Sequence, residues 1–372
     1  MTGCAQPWQV RPCRGGRRCC RITRPCAPWV ATDGRSPFRC WRRKPGALAE
    51  GLLLAPDATQ RARLDAYEAL FDYRPEAFEV LCGGVAVPAL IYRAGPNGWQ
   101  GGPAWDIDSW ARDWAALRMG AAAEVMALWP DLCPALMAQR YPMIERAVDA
   151  RLRAAKQPAP ARLRRAAQPE DVASARTRRP YARFFGVQED DLQFRAFNGG
   201  QSEQVTRAGF VMGDAVTLLP YDPARDLVLL VEQFRYGAWL RGDPNPWSLE
   251  PIAGRIDPGE TPEQAARREA MEEARLTLGA LHPIGGHYPS PAAVTEYLYA
   301  FIGLTDLGPQ HEGVAGLASE AEDIRAHVLP FARLMRLIAQ GEVQNGPLLL
   351  SAWWLAAHRG SESGLLGTNK GA

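Results

Sequence analysis

No stretch of this 372-residue chain holds 18 or more consecutive apolar residues, which argues against a membrane-spanning helix. Cysteine is nearly confined to one end. Cys4, Cys13, Cys19, Cys20, Cys26 and Cys40 precede Lys44, and only Cys82 and Cys133 follow it. The body is thus as poor in cysteine as a reducing, cytoplasmic compartment leads one to expect. Acid is scarce in those first 44 residues: ten Arg and one Lys stand against Asp33 alone, a net charge of +10. The rest of the chain then carries −8, so a near-neutral total hides an acidic body with a basic extension. The extension also lacks leucine and any periodic apolar pattern, so it has little with which to build a core. Residues 1–45 are expected to be irregular and disordered.

What is present is concentrated between Gly254 and Leu276, in GRIDPGETPEQAARREAMEEARL. Thr261 with Gln264 three residues on, and Pro262 between them, forms a capping box that starts a helix. Ala266, Ala270 and Ala274 recur every fourth residue and suit close packing on a sheet. Glu269, Glu272 and Glu273 fall at i, i+3 and i+4 on another face. Like charges at that spacing cost an isolated helix roughly 0.2–0.5 kcal/mol per pair. A hard divalent cation with oxygen ligands compensates such a cluster, Mg²⁺ first and Mn²⁺ second. A solvated helix face would explain an isolated EExxE equally well, but not the spaced Gly254, Glu260 and Arg268.

The spacing is that of the Nudix box, and the segment resembles the Nudix hydrolases over about Tyr181 to His358. LLPYDPARDLVLLVEQFRYG (Leu218 to Gly237) resembles the paired strands of the ADP-ribose pyrophosphatase subfamily. SPAAVTE (Ser290 to Glu296) and GLASEAEDIRAHVL (Gly316 to Leu329) resemble its later strand and acidic loop. The resemblance implies an α/β/α sandwich around a mixed sheet. It implies metal ligands at Glu269, Glu273, Glu322 and the Ala253 carbonyl, with Glu272 among the catalytic carboxylates. Glu320, in the acidic loop, becomes the general base. Arg207 and Arg235 fall where the subfamily places substrate-contacting arginines, a role suited to a planar fork that grips phosphate and stays charged. Glu296 falls where the nucleoside or its ribose is contacted. Arg268 and Glu260 are expected to pair and fix the box loop. Two residues depart from the pattern. Arg275 replaces the Gly that closes the helix, so that either the helix runs on toward Gly279 or Arg275 takes a strained left-handed cap. Ala292 replaces a small flexible Gly in the later loop.

Ahead of this, residues 46–154 read as a strand, a short helix and two or three more strands, then helical stretches. One spans Trp105 to Leu128, with Trp110 and Trp114 as core residues. The next, Cys133 to Ala154, is expected to be interrupted at Pro142. LDAYEALFDYR (Leu64 to Arg74) resembles the motif of gamma-glutamylcyclotransferase-like domains, and WQGGPAWDIDSWARDW resembles the extension of tellurite-resistance-associated Nudix proteins. That resemblance implies an α+β domain with Glu68 as its general acid/base. The family's opening Tyr-Gly-Thr-Leu loop is absent, so the expectation is a truncated, inactive domain. Residues 155–180, rich in Ala, Arg and Pro, read as a linker. A Nudix domain of 181–360 and a tail of 361–372 complete the chain.

The implied function is hydrolysis of ADP-ribose to AMP and ribose 5-phosphate by a homodimer, with neither nucleic acid nor membrane as partner. Rival readings are hydrolysis of another nucleotide sugar such as GDP-mannose, a non-catalytic nucleotide-diphosphate sensor, and cyclotransferase chemistry at Glu68. The first 44 residues fit none of these. They have no apolar core for a secretory signal, no CxxC pair or histidine for a metal site, and no fold signal for nucleic-acid binding. Their Arg, Cys, Trp, Pro and Gly enrichment is what a GC-rich gene yields when translated in the wrong frame or from a wrong start. A peptide map of the natural protein should accordingly lack residues 5–40, and recovering them intact would overturn that reading.

Overall fold

A computed structural model describes residues 19–22, 26–29, 40–43, 49–95, 106–315 and 323–360. The chain divides into two compact units: residues 1–160 with 182–184, and residues 161–181 with 185–372.

The first unit opens with β1 (Cys19–Ile22), β2 (Cys26–Trp29), β3 (Cys40–Arg43) and β4 (Ala49–Leu52). It continues through α1 (Ala58–Ala69), β5 (Tyr73–Cys82), β6 (Val85–Ala94), α2 (Ile107–Asp113), α3 (Ala115–Leu128) and α4 (Pro134–Lys156). Three strands therefore lie where an irregular segment was expected. One of them, β1, pairs with both β4 and β5 in the sheet β4-β1-β5-β6. Backbone pairing needs no apolar pattern, which is why composition did not reveal it. The long hairpin β5–β6 turns on Gly83 and Gly84, both at positive φ, as a two-residue turn between twisted strands demands. Asp57 caps α1, accepting from the Gln60 N–H at 2.8 Å while the Gln60 side chain accepts from the Asp57 N–H at 3.0 Å. Cys82 is disulfide-bonded.

Leu70 from the end of α1, Leu117, Ala121 and Val125 of α3, and Met137, Tyr141, Ile144 and Val148 of α4 form this unit's core. Trp110 is buried and Trp114 packs against the core, the structural role expected of both. The helical stretch breaks at Trp114, whose φ of −125° separates α2 from α3. By contrast α4 runs unbroken through Pro142, correcting the expected interruption. Its buried face, not its internal hydrogen bonds alone, holds it together. Beside this core Tyr141 accepts from Arg118 Nη1 at 3.0 Å, and burial pushes the Glu68 carboxyl up to about 7.

The second unit begins inside the segment read as a linker. The strand β7 (Val172–Ala182) joins β8 (Gly186–Phe194) and β9 (Val205–Val211) in a three-stranded sheet. The run SARTRRP looked like linker because it is charged. Its Arg178 instead grips Asp191 of β8 through both Nη atoms at 2.6 and 2.8 Å, a cross-strand pair between an arginine strand and an acidic one.

The main sheet comprises β10 (Ala215–Asp222), β11 (Leu227–Phe234), β12 (Trp247–Glu250), β13 (Ile252–Arg255), β14 (Leu281–His287), β15 (Leu298–Leu304), β16 (Gly313–Ala315) and β17 (Ile324–Pro330). Its order is β14-β15-β10-β11-β17-β16, with β12 on β11 and β13 on β10. The pair β10–β15 is parallel, with Leu218 opposite Phe301, and the other pairs are antiparallel, so the sheet is mixed. The helices are α5 (Tyr236–Arg241), α6 (Pro262–Ala274), α7 (Phe331–Gln340) and α8 (Gly346–His358). One sheet face, with Val216, Leu218, Leu229 and Val231, packs on Ala265, Ala266, Ala270 and Ala274 of α6. The other, with Leu219, Val228, Leu230 and Ile302, packs on Phe331 and Leu334 of α7 and Leu348, Ala352 and Leu355 of α8. This is the expected α/β/α sandwich. Each fully buried Leu or Phe contributes about 1.5–3 kcal/mol. The alanines of α6 contribute less but let that helix lie close to the sheet.

SPAAVTE is not strand. It turns between β14 and β15, and its Ala293 and Thr295 exchange backbone hydrogen bonds with Phe210 of β9 at 2.7 and 3.0 Å. Ala292 is not among the positive-φ residues, so no glycine is required there. Arg275 is: its φ of 54° and ψ of 33° place it in the left-handed region, and the helix ends at Ala274. Of the two alternatives the strained cap is the one adopted, with the Arg275 and Leu276 N–H groups donating to Met271 and Ala270 at 3.0 and 2.9 Å.

Two measurements test these assignments. Replacing Arg275→Gly should raise stability by about 1 kcal/mol, read as a higher melting temperature. For Glu68, the folded chain holds the proton more tightly than the unfolded chain. Stability is therefore lost as pH rises from the ordinary carboxylate range through about 7. Glu68→Gln should melt higher than the parent at pH 8 and equally at pH 4, and a pH-independent difference would contradict the assignment.

Candidate active site

The carboxylate face of α6 is arranged around one guanidinium. Arg268 Nε donates to Glu260 Oε1 at 3.1 Å, and Nη2 donates to Glu260 Oε2 at 3.0 Å and to the Arg255 carbonyl at 2.9 Å. Its Nη1 donates to Glu269 Oε1 at 2.6 Å and to Glu272 Oε2 at 2.9 Å. Burial works against the Arg268 charge, but the Glu260 and Glu269 carboxylates outweigh it and hold the guanidinium well above its ordinary value. Glu260 also accepts from the Asp257 N–H at 3.2 Å, which closes the loop ahead of the helix. The expected pair of Arg268 and Glu260 is thus present, with two further acids gathered onto the same fork.

Glu269 and Glu273 are buried at 9% and 2% exposure. Glu273 Oε2 accepts from the Ala253 N–H at 3.3 Å, so that this carboxylate and the Ala253 backbone lie together. Gly254 provides the space for Glu269: a Cβ there would stand 1.9 Å from Glu269 Oε1 and 2.0 Å from its carboxyl carbon. The first Gly of the box is needed because a carboxylate occupies the volume that any side chain would claim.

Arg235, the residue capping α5, meets a partner that the sequence reading missed. Its Nε donates to Glu250 Oε1 at 2.9 Å and its Nη2 to Glu250 Oε2, a two-point ion pair. Burial holds the Glu296 carboxyl above its ordinary value against the opposing charges of Arg255 and Arg235, while Asp214 pushes it further up. Glu296 therefore shares one electrostatic neighbourhood with Arg235. Arg207 is exposed on β9 and donates from Nη1 to the Thr206 carbonyl at 3.1 Å. No hydrogen bond or ion pair among the described residues joins it to the box. Glu320 and Glu322 lie outside the described residues. The signal that could have revealed Glu250 is its place at the end of the short strand WSLE, where its register opposite Val231 turns the carboxylate toward the core.

The donors at Glu269, Glu272, Glu273 and the Ala253 carbonyl are all oxygen, the chemistry of a hard divalent cation. Glu269 and Glu273 are buried carboxylates that such a charge would neutralise. Among the described residues no three acidic or His/Cys side chains already converge as a ligand set, because Arg268 draws Glu269 and Glu272 to itself.

Comparison with known proteins places the second unit in a family. Residues 212–350 match the NUDIX domain. An ADP-ribose pyrophosphatase of Escherichia coli K12 is 38% identical over 188 residues, which is 50% of this chain and 89% of that protein. One from Haemophilus influenzae is 35% identical over 188 residues, covering 50% and 86% respectively. A GDP-mannose pyrophosphatase of Enterobacter is 34% identical over 143 residues, 38% of this chain and 73% of that one. With the box carboxylates gathered on one helix of a mixed-sheet sandwich, and with relatives of 34–38% identity matched over 73–89% of their length, the chain belongs to the Nudix family of hydrolases.

Proposed function

We propose that this enzyme hydrolyses ADP-ribose to AMP and ribose 5-phosphate, using Mg²⁺ or, alternatively, Mn²⁺. One observation carries the reading: Glu269 and Glu273 of the box lie buried on α6 within a chain that matches ADP-ribose pyrophosphatases over 86–89% of their length. Glu269, Glu272, Glu273, the Ala253 carbonyl and Glu322 would hold the cation. When bound, it neutralises the diphosphate and lowers the pKa of water. Glu320 takes a proton from the attacking water as its oxygen bonds to phosphorus and the bridging P–O bond breaks. Arg235 and Arg207 bind phosphate oxygens, and Glu296 orients the nucleoside or its ribose.

A second reading, hydrolysis of GDP-mannose, draws on the 34% identity to the Enterobacter enzyme. The box recognises a diphosphate and does not by itself distinguish the two. The same proposal takes the enzyme as a cytoplasmic homodimer. It takes the first unit as an incomplete cyclotransferase-like domain in which Glu68 is a relic: the high pKa of Glu68 suits an acid/base, but the family's opening loop is absent.

Purified protein given ADP-ribose and, separately, GDP-mannose in Mg²⁺ should release AMP faster than GMP, and a chelator should abolish both. Glu273→Gln should lower kcat on the order of 10²–10³-fold with an unchanged melting profile. Near-normal turnover by that variant would refute the metal assignment, and faster GMP release would transfer the substrate to GDP-mannose.

A further inference from the structure

The pair formed by Arg235 and Glu250 is lopsided. Arg235 is 44% exposed, whereas the Glu250 side chain is 5% exposed. An ordinary surface ion pair has both partners in water and contributes little. Here a carboxylate has been taken out of water, which is tolerated only where a partner satisfies it. The contact is also two-pointed, with Nε and Nη2 on the two carboxylate oxygens, so the plane of the guanidinium is set as well as its position.

The backbone around the pair is equally well held. Glu250 ends β12, opposite Val231 of β11, and so stands on the sheet face covered by α6. Arg235 follows β11 directly, and its N–H donates to the Pro246 carbonyl at 2.8 Å. The two residues are thus joined twice, through backbone pairing of their strands and through their side chains. Glu296 feels the Arg235 charge, and Ala253, whose N–H meets Glu273, lies three residues beyond Glu250 on the adjoining strand.

We propose that Glu250 is a positioning residue for the reaction: it holds the Arg235 guanidinium in one orientation, so that the diphosphate of the substrate meets an arginine already aimed. This rests on the reading of Arg235 as a phosphate contact given above. Arginine has much rotamer freedom to lose on binding, and a buried carboxylate that removes that freedom beforehand lowers the cost of engaging substrate. Glu250 touches no reacting atom. It acts through Arg235, and its effect should vanish when Arg235 is gone.

The test is a double-mutant cycle with Glu250→Gln and Arg235→Gln in the full-length protein, measuring kcat, KM and melting temperature for each. It is run on whichever of ADP-ribose and GDP-mannose the parent hydrolyses, so that failure of the substrate assignment and failure of the coupling read out separately. Glu250→Gln should raise KM about tenfold with kcat changed by less than about threefold, the pattern of lost binding rather than lost chemistry. The double variant should be no worse than Arg235→Gln alone. Two results overturn the proposal: a lowered melting temperature with KM unchanged in Glu250→Gln, or a double variant whose KM is the product of the two single effects. Should the Gln variant fail to fold, Glu250→Asp carries the test. It keeps the charge but withdraws it by one methylene, and it must raise KM only when Arg235 is present.

Discussion

The site depends on a single guanidinium placed where several acids would otherwise repel one another. Arg268 joins Glu260, Glu269 and Glu272 and reaches the Arg255 carbonyl, so one side chain ties the loop before α6, the helix itself and the adjoining strand β13 together. Glu269 and Glu260 are buried, and leaving either without a cation would be costly. The arginine also keeps Glu269 seated over Gly254, in the volume that no other residue type would leave open. Charge compensation and shape are therefore one constraint here, because the carboxylate that needs the arginine is also the one that needs the glycine.

Around that centre the sandwich acts as a platform. Small residues on α6 allow the carboxylate helix to lie against β10 and β11, while bulky residues on α7 and α8 fill the opposite face. The central strands are buried on both sides and can hardly shift without disturbing both layers. The residues proposed above to meet metal or substrate lie on the sheet or on the connections leaving it: Ala253 on β13, Arg235 after β11, Glu296 before β15. A rigid sheet carrying reactive groups on its margins is the usual division between scaffold and chemistry.

Much of this was legible in the sequence where the instruction is local. Thr261 and Gln264 cap a helix whatever surrounds them, and the hairpin from β10 to β11 is written in two apolar runs around a short polar turn. The box spacing placed three glutamates correctly on one helix. What was not legible depends on partners distant in the chain. The strand β7 looked like a linker because the acids of β8 that neutralise its arginines are more than ten residues away. Glu250 drew no attention in the sequence because its burial comes from the sheet and helix around it. The helix α4 was expected to be interrupted at Pro142, yet the buried surface of Tyr141, Ile144 and Val148 carries it through. Arg275 was the reverse case: the sequence posed the alternatives, and only the backbone angle decides between them.

The parallel pairing of β10 with β15 has a consequence for how the molecule assembles. Residues 215–221 lie beside residues 298–304, so this contact closes a loop of roughly 75 residues that contains β11, α5, β12, β13, α6 and β14. The carboxylate helix is inside that loop. A ribosome must have released β15 before the strand that completes the sheet beside β10 can dock, and long-range pairing of this kind is slow compared with closing a hairpin. The carboxylate helix can pack on β10 and β11, which precede it in the chain, but the sheet edge beside β10 stays open until residues 298–304 have been made.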